Sequence, residues 1–227
     1  MAITYFELDA DGAPGLLGRT LREFGQQVRQ VDAHKAATMP LDLDEVHGVV
    51  VSGGGSSTGP SAGSVEAFVK QAVAREIPVL GIGAGSRLVA RALGGEVGAC
   101  SERGIVTVRL NAVGREEPLF AGQRWTSEQP VWNDECIAKL PEGGRAFGST
   151  PASKIAAWGL GPWIVGIDWH PEWDAKEITE AAKASGPVAS PSIAAIERLG
   201  RLFAERVSLI LMPVDRMVSG RAKDVRH

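Results

Sequence analysis

A histidine and a glutamate separated by one proline follow the last apolar strand of the chain, in the run Gly166-Ile167-Asp168-Trp169-His170-Pro171-Glu172. Proline favours an extended conformation in the residue before it, so the Glu172 carboxylate can be held close to the His170 imidazole. A carboxylate that accepts from one ring nitrogen orients the ring and leaves the other nitrogen facing a nucleophile. The tripeptide predicts a general base with its orienting partner; a plain turn is the alternative interpretation.

A second motif, Gly81-Ile82-Gly83-Ala84-Gly85, has the form of a strand that turns sharply into a helix. Such a turn holds one side chain beside backbone N–H groups and a helix N-terminus, which stabilise negative charge. The central position of a Gly-x-nucleophile-x-Gly elbow carries Ser or Cys, but here it is Gly83, which has no side chain. A glycine-rich turn that binds nothing and a phosphate-binding loop are the alternatives for this run alone.

Together the two motifs resemble the class I glutamine amidotransferase family, the type with a Cys, His and Glu triad. The similarity is greatest to members like the glutaminase domain of GMP synthase, and it covers nearly the whole chain. It rests on the nucleophile strand and helix Ile77–Gly95, the oxyanion strand Gly48–Gly54, the acid-base turn Gly166–Glu172, and the segments Glu102–Gly104 and Trp132–Asp134.

The resemblance implies a role for each matching residue. His170 would be the general base and Glu172 its orienting partner, while the backbone N–H groups of Ala84 and of Gly54 or Gly55 would form the oxyanion hole. In the family, a cysteine thiolate attacks the side-chain amide of glutamine. This attack gives a glutamyl thioester and ammonia, and water then releases glutamate.

Three positions depart from the family pattern. Gly83 stands at the position of the cysteine, Arg87 replaces a usual Gln that helps to hold glutamine, and Asn133 replaces the His of a Trp-His-x-Asp loop. All three are expected around one pocket, so its function is expected to be relaxed or redirected. Glycine would also remove the backbone strain of about 1–3 kcal/mol that a residue with a Cβ carries at such a turn.

Three interpretations of function follow, and they leave open whether the chain is an enzyme. In the first, the chain lacks glutaminase activity and binds a small polar ligand, a protein partner or a second copy of itself. In the second, it is a hydrolase or transferase that uses His170 and Glu172, with water or a nearby serine, on a substrate other than free glutamine. In the third, it is an ordinary glutaminase in which Gly83 is an engineered or erroneous residue.

Other hydroxyl and thiol groups are weaker candidates for a nucleophile. Ser86 is expected about 4.5 Å higher along the helix, beyond hydrogen-bond reach of the base. The remaining hydroxyl and thiol candidates lie in the glycine-rich loop or away from the elbow: Ser52, Ser56, Ser57, Cys100 and Cys136.

Two aspartates form a separate candidate for ligand binding. Asp9 and Asp11 fall on the expected ligand edge of the sheet, although ordinary loop polarity also explains them.

Composition limits the partners and the location of the chain. Its 227 residues, 44% hydrophobic and 22% charged, predict one domain spanning 1–227. A net charge of −3 with scattered Lys and Arg argues against nucleic acid or an anionic membrane as the partner. No secretory signal or membrane-spanning apolar run is visible, and the two cysteines lack the spacing of a zinc site. We therefore predict a cytoplasmic protein without a metal or cofactor.

The rhythm of apolar segments predicts the fold class. In the first part of the chain, strand-length apolar runs alternate with helical patterns, which is typical of a parallel sheet covered on both faces. We predict an α/β fold with an open, mostly parallel, flavodoxin-like sheet, helices on both faces and a small antiparallel addition. The predicted strands are Ile3–Leu8, Val28–Val31, His47–Val51, Ile77–Ile82, Ile105–Leu110, Gln129–Asn133, Arg145–Gly148, Lys154–Trp158 and Trp163–Asp168. The predicted helices are Leu16–Val28, where Leu16, Leu17, Leu21, Phe24 and Val28 recur at helical spacing, Val65–Ala74, Ala84–Leu93 and Ile178–Leu211, the last with a break at Gly186–Pro191.

Overall fold

Three of the four strands up to the elbow are followed directly by a helix in the described residues, as the apolar pattern predicts. The structure, a computed structural model, describes residues 2–10, 12–35, 43–185 and 190–212. In these ranges the strands are β1 (Ala2–Glu7), β2 (Val28–Asp32), β3 (Val46–Gly53), β4 (Val79–Gly83), β5 (Glu96–Leu110), β6 (Thr126–Lys139), β7 (Arg145–Ser149), β8 (Ala157–Leu160) and β9 (Ile164–Ile167). The helices there are α1 (Gly15–Glu23), α2 (Ala62–Ala74), α3 (Ala84–Ala92), α4 (Ala112–Glu116), α5 (Ala175–Ser185) and α6 (Ser190–Arg206), with a 3₁₀ turn at Pro118–Phe120 and a π-helical turn at Val207–Leu211.

The strands form one sheet in the order β2-β1-β3-β4-β9-β8-β7-β5-β6. The first five strands in this order run parallel, and the other pairings are antiparallel. Gly53 at the end of β3 pairs with Gly83 at the end of β4, and Ile82 pairs with Ile167, just before the His-Pro-Glu turn. The topology therefore brings the glycine-rich loop, the elbow and His170 to one edge of the sheet.

Side chains on successive residues of the parallel strands enter two different cores. Tyr5 and Leu80 pack with residues of α1 and α6 on one face, whereas Phe6 and Val79 pack with residues of α2 and α3 on the other. Burial on both faces explains why these strands are nearly continuous apolar runs. The predicted α/β fold, with a mostly parallel sheet covered by helices on both faces, is confirmed. In the described residues, no helix is long and apolar enough to cross a membrane.

Several element boundaries differ from the predicted ones. β5 and β6 contain 15 and 14 residues, far more than predicted, because their outer halves form a partly exposed ribbon without a continuous apolar pattern. β8 lies later than the predicted Lys154–Trp158, and α2 begins at Ala62, one turn before the first apolar residue of its pattern. The predicted break in the helical tail includes residues 186–189, which lie outside the described residues; α6 begins at Ser190.

Candidate functional site

The elbow between β4 and α3 has a backbone conformation suited to glycine. Gly83 has φ 56° and ψ −121°, which residues with a Cβ rarely adopt. An ideal Cβ on Gly83 would overlap the Gly53 carbonyl oxygen and would come within 2.5 Å of His170 Cε1 and 2.9 Å of His170 Nε2. The His170 ring therefore lies directly over Gly83, in space that a side chain would need.

His170 and Glu172 form a buried hydrogen-bonded pair. His170 Nδ1 lies 2.8 Å from Glu172 Oε1, and Ser52 Oγ donates to the same oxygen over 3.0 Å. Because the carboxylate accepts, the ring proton is assigned to Nδ1, which leaves a lone pair on Nε2. Nε2 is buried and has no hydrogen-bond partner in the part of the chain that the structure describes. The Trp173 ring stacks on His170, with centroids 4.2 Å apart. The base is therefore held in place, and its free nitrogen faces Gly83.

Two of the three backbone amides predicted for an oxyanion hole already donate to the chain itself. Gly54 N–H donates to Asp9 Oδ2 over 2.5 Å, and Gly55 N–H donates to the Trp132 carbonyl oxygen over 2.7 Å. Ala84 is the first residue of α3, so its N–H has no acceptor within the helix. The Asp9 carboxylate thus takes the place that a ligand anion would take at Gly54.

Arg87 and Asn133 lie in a buried polar network behind the glycine-rich loop. The Arg87 side chain is fully buried, and it donates to Asn133 Oδ1 over 2.8 Å, to the Gly55 carbonyl oxygen over 2.9 Å and to Asp168 Oδ1 over 3.4 Å. Burial raises the pKa of Asp168 to about 7, although the Arg87 charge acts in the opposite direction. Arg87 therefore joins the loop, β6 and the end of β9.

Sequence reasoning missed two contacts of the site. Ser52, considered only as a substitute nucleophile, supports Glu172, and Asp9 binds the Gly54 amide. The parallel register places Glu7 of β1 beside Ser52 of β3, so the loops after these strands meet at one edge. That adjacency was the available signal for Asp9, whereas Asp11 lies outside the described residues.

The comparison with protein families identifies the type of domain that carries this geometry. Residues 11–182 match the family described as Glutamine amidotransferase class-I. The chain belongs to the class I glutamine amidotransferase family. A GMP synthase [glutamine-hydrolyzing] subunit from Archaeoglobus fulgidus is 34% identical over 162 residues, which cover 69% of this chain and 81% of that protein. The glutamine-hydrolyzing GMP synthase of Leifsonia xyli subsp. xyli is also 34% identical, but the match covers 59% of this chain and 28% of that protein.

Solved amidotransferase structures have the same fold. The crystal structure of a glutamine amidotransferase from Methylobacillus flagellatus superposes with a TM-score of 0.78 at 21% identity, covering 90% of this chain and 93% of that one. A glutamine amidotransferase from Thermotoga maritima superposes with a TM-score of 0.74 at 18% identity, covering 96% and 98%. At these identities the similarity establishes the amidotransferase fold alone.

The hydroxyl and thiol groups considered as substitute nucleophiles in this amidotransferase domain already have partners. Ser86 Oγ is buried and accepts from Trp158 Nε1 over 3.0 Å, and Ser57 Oγ is 2.6 Å from an Arg91 guanidinium nitrogen. Burial, together with Cys136, raises the pKa of the Cys100 thiol to about 12. None of the described serines or cysteines hydrogen-bonds to His170 Nε2.

A cleft opens to solvent above the His170 pair. It has a volume of about 760 Å³, and a small cavity of about 20 Å³ at its inner end reaches His170 and Glu172. The two share five lining residues: Asp9, Gly12, Gly54, Trp173 and Glu177. Within the described ranges, no group of three or more His, Cys, Asp or Glu side chains could hold a metal ion.

Several carboxyl groups surround the base. Burial raises the pKa of Glu7 to about 8, and the nearby charges of Glu172 and Asp9 add to this effect. Hydrogen bonds from the backbone of Asp9 and Leu8 act in the opposite direction. Glu7 is thus protonated in much of the neutral range in the folded chain.

Replacing Glu7 by Gln is expected to flatten the pH dependence of stability. The pKa of Glu7 is raised from 4.5 in the unfolded chain to about 8 in the folded chain. Between these two pH values the folded chain therefore keeps a proton that the unfolded chain has released. The free energy of unfolding therefore falls as pH rises, by about 1 kcal/mol per pH unit from this group. Urea unfolding across this pH range should show a smaller slope for Glu7→Gln than for the wild type. If the free energy of unfolding changed equally with pH in the two proteins, the raised pKa of Glu7 would be contradicted.

Proposed function

We propose that this amidotransferase-like chain lacks glutaminase activity and binds a small ligand in the cleft above His170. The observation that carries the proposal is Gly83 at the elbow, under the free nitrogen of His170. The resemblance to the family puts the reacting cysteine at this position. Covalent catalysis needs a nucleophilic atom about 3 Å from its base, and Gly83 offers none.

The surroundings of Gly83 support the loss of the reaction. The carbonyl oxygen of a bound amide would need the Gly54 N–H group, which donates to the Asp9 carboxylate. The predicted ligand residues Arg87 and Asn133 bond to each other within the buried network. The site therefore combines an intact base with an altered binding surface.

The intact base also supports a second candidate, a hydrolase that activates water. His170 Nε2 carries a free lone pair, and Glu172 and Ser52 hold the ring as a general base requires. Such an enzyme would act on a substrate other than free glutamine. Its activity would disappear in His170→Asn.

A protein partner is a further part of the proposal. The Archaeoglobus relative is named as one subunit of a synthase, and the chain spans 28% of the length of the Leifsonia GMP synthase that it matches. We therefore propose that a separate chain associates with this domain. Purification of the untagged chain at its native expression level, followed by a search for a second chain that co-purifies with it, tests this association.

A cysteine at the elbow tests whether Gly83 is the vacated nucleophile position. Gly83→Cys is expected to create a thiol with a lower pKa than Gly161→Cys, because His170 and the start of α3 stabilise the thiolate. Gly161 is a matched control, since its φ of 58° equals that of Gly83 within 2°, and an added Cβ there meets nothing within 4 Å. The thiol pKa is measured from thiolate ultraviolet absorbance.

Both cysteine variants keep Cys100 and Cys136, so the native thiols cancel in the comparison. Gly83→Cys is also expected to unfold at a lower denaturant concentration than Gly161→Cys, because its Cβ must displace the His170 ring or the Gly53 carbonyl group. A thiol pKa in Gly83→Cys equal to or above that of Gly161→Cys would mean that no base acts at this position.

A further inference from the structure

The cleft above His170 carries uncompensated negative charge. Among the described residues that line it, Lys176 alone is positively charged. Asp174 lies 3.8 Å from an arginine and Glu180 lies 2.6 Å from a lysine. Asp9 and Glu177 form no ion pair with a described Lys or Arg side chain. The cleft thus offers two carboxylates whose charge is not neutralised.

The inner end of the cleft offers further hydrogen-bond acceptors. The cavity there is lined by His170 and Glu172 as well as by Asp9 and Glu177. His170 Nε2 and Glu172 Oε2 are buried and have no partner among the described residues. In the neutral ring with its proton on Nδ1, Nε2 accepts, and a carboxylate oxygen likewise accepts. A group that bonds to both of these atoms must therefore donate hydrogen bonds.

The raised pKa values of two carboxyl groups also indicate that negative charge is concentrated in the cleft. Burial raises the pKa of both Glu7 and Glu177, and neighbouring carboxylates, including Glu172 in each case, raise it further. The repulsion between these groups is relieved when one of them binds a proton. A bound cation would relieve it in the same way.

Two indole rings form the apolar part of the cleft wall. Trp132 and Trp173 both line it. An indole face attracts a cation, and the Arg103 guanidinium already lies 4.9 Å from the centroid of the Trp132 ring. Carboxylates beside aromatic faces suit a ligand with a charged end and an aliphatic body.

We propose that the cleft binds a small molecule bearing a protonated amine. Its ammonium group donates to His170 Nε2 and to the Asp9 and Glu177 carboxylates, and its aliphatic chain lies along the indole rings. The inference rests on the proposed function, since it takes the cleft as a ligand site rather than as the site of glutamine hydrolysis.

Calorimetric titration with 1,4-diaminobutane tests the inference. The diamine is expected to bind the wild-type chain, whereas 1,4-butanediol and succinate, its neutral and anionic counterparts, are expected not to bind. Asp9→Asn and Glu177→Gln should each weaken diamine binding about tenfold, the effect of losing a charge-assisted hydrogen bond. Both variants keep an oxygen for the Gly54 or Asp174 amide that the carboxylate accepts from.

Glu96→Gln is the matched control. It removes the same charge from an exposed position on β5, where Glu96 pairs with Lys139, and should leave diamine binding unchanged. No binding of the diamine, binding of succinate, or equal weakening in Glu96→Gln would overturn the inference. Glutamate release is measured on the same samples: its presence at an enzymatic rate rejects the proposed function, whereas its absence together with no diamine binding rejects the amine site alone.

Discussion

Arg87→Gln is expected to lower the free energy of unfolding by about 3–5 kcal/mol, the usual loss when one partner of a buried charged pair is removed. Arg87 is fully buried and donates to Asn133, Asp168 and the Gly55 carbonyl group. Glutamine is shorter and has one amide nitrogen, so it cannot replace these contacts. The fully buried Asp168 carboxyl would lose its cation. Equilibrium urea unfolding measures the loss.

Asp168→Asn provides the control for Arg87→Gln. In the double variant Arg87→Gln/Asp168→Asn, the buried side chain at position 168 is a neutral amide that needs no cation. Part of the free energy of unfolding lost in Arg87→Gln is therefore expected to return. Non-additivity of this kind is the signature of a direct interaction between two residues. A loss below about 1 kcal/mol in Arg87→Gln, the size of an ordinary surface effect, would contradict a structural role for this network.

The sequence was sufficient for the main architecture and for the pairing of His170 with Glu172. Continuous apolar strands such as β3 and β4 indicate burial on both faces of the sheet. The proline between His170 and Glu172 limits the conformations of these two residues. These features are local, so they can be inferred from neighbouring residues. The position of His170 above Gly83 followed only when both motifs were assigned to one edge of the same sheet.

Other features depend on which strands become neighbours, and a single sequence does not reveal this. Asp9 binds the Gly54 amide because β1 and β3 are adjacent and end together. The Arg87 side chain donates to Asn133 of β6. The alternation of apolar and polar residues did not predict the full length of that strand. Long-range polar contacts of this kind need the assembled sheet.

Glutamine hydrolysis by this chain is expected to be slower than hydrolysis by a relative with a cysteine at the elbow, by a factor on the order of 10⁶. Removal of the nucleophile of a triad has an effect of this size because the base has no attacking atom to activate. In this chain Asp9 also holds one predicted oxyanion donor. Activation of water by His170 alone would leave a rate far below that of covalent catalysis.

Loss of glutaminase activity is tested by measuring the glutamate that the purified chain releases from glutamine. The glutamine-hydrolyzing GMP synthase of Leifsonia xyli subsp. xyli serves as the positive control, and His170→Asn in this chain gives the background. We expect the wild-type rate to equal that of His170→Asn within experimental error. A rate within about a hundredfold of the positive control, lost in His170→Asn, would show that another atom attacks the amide and that the chain is an active glutaminase.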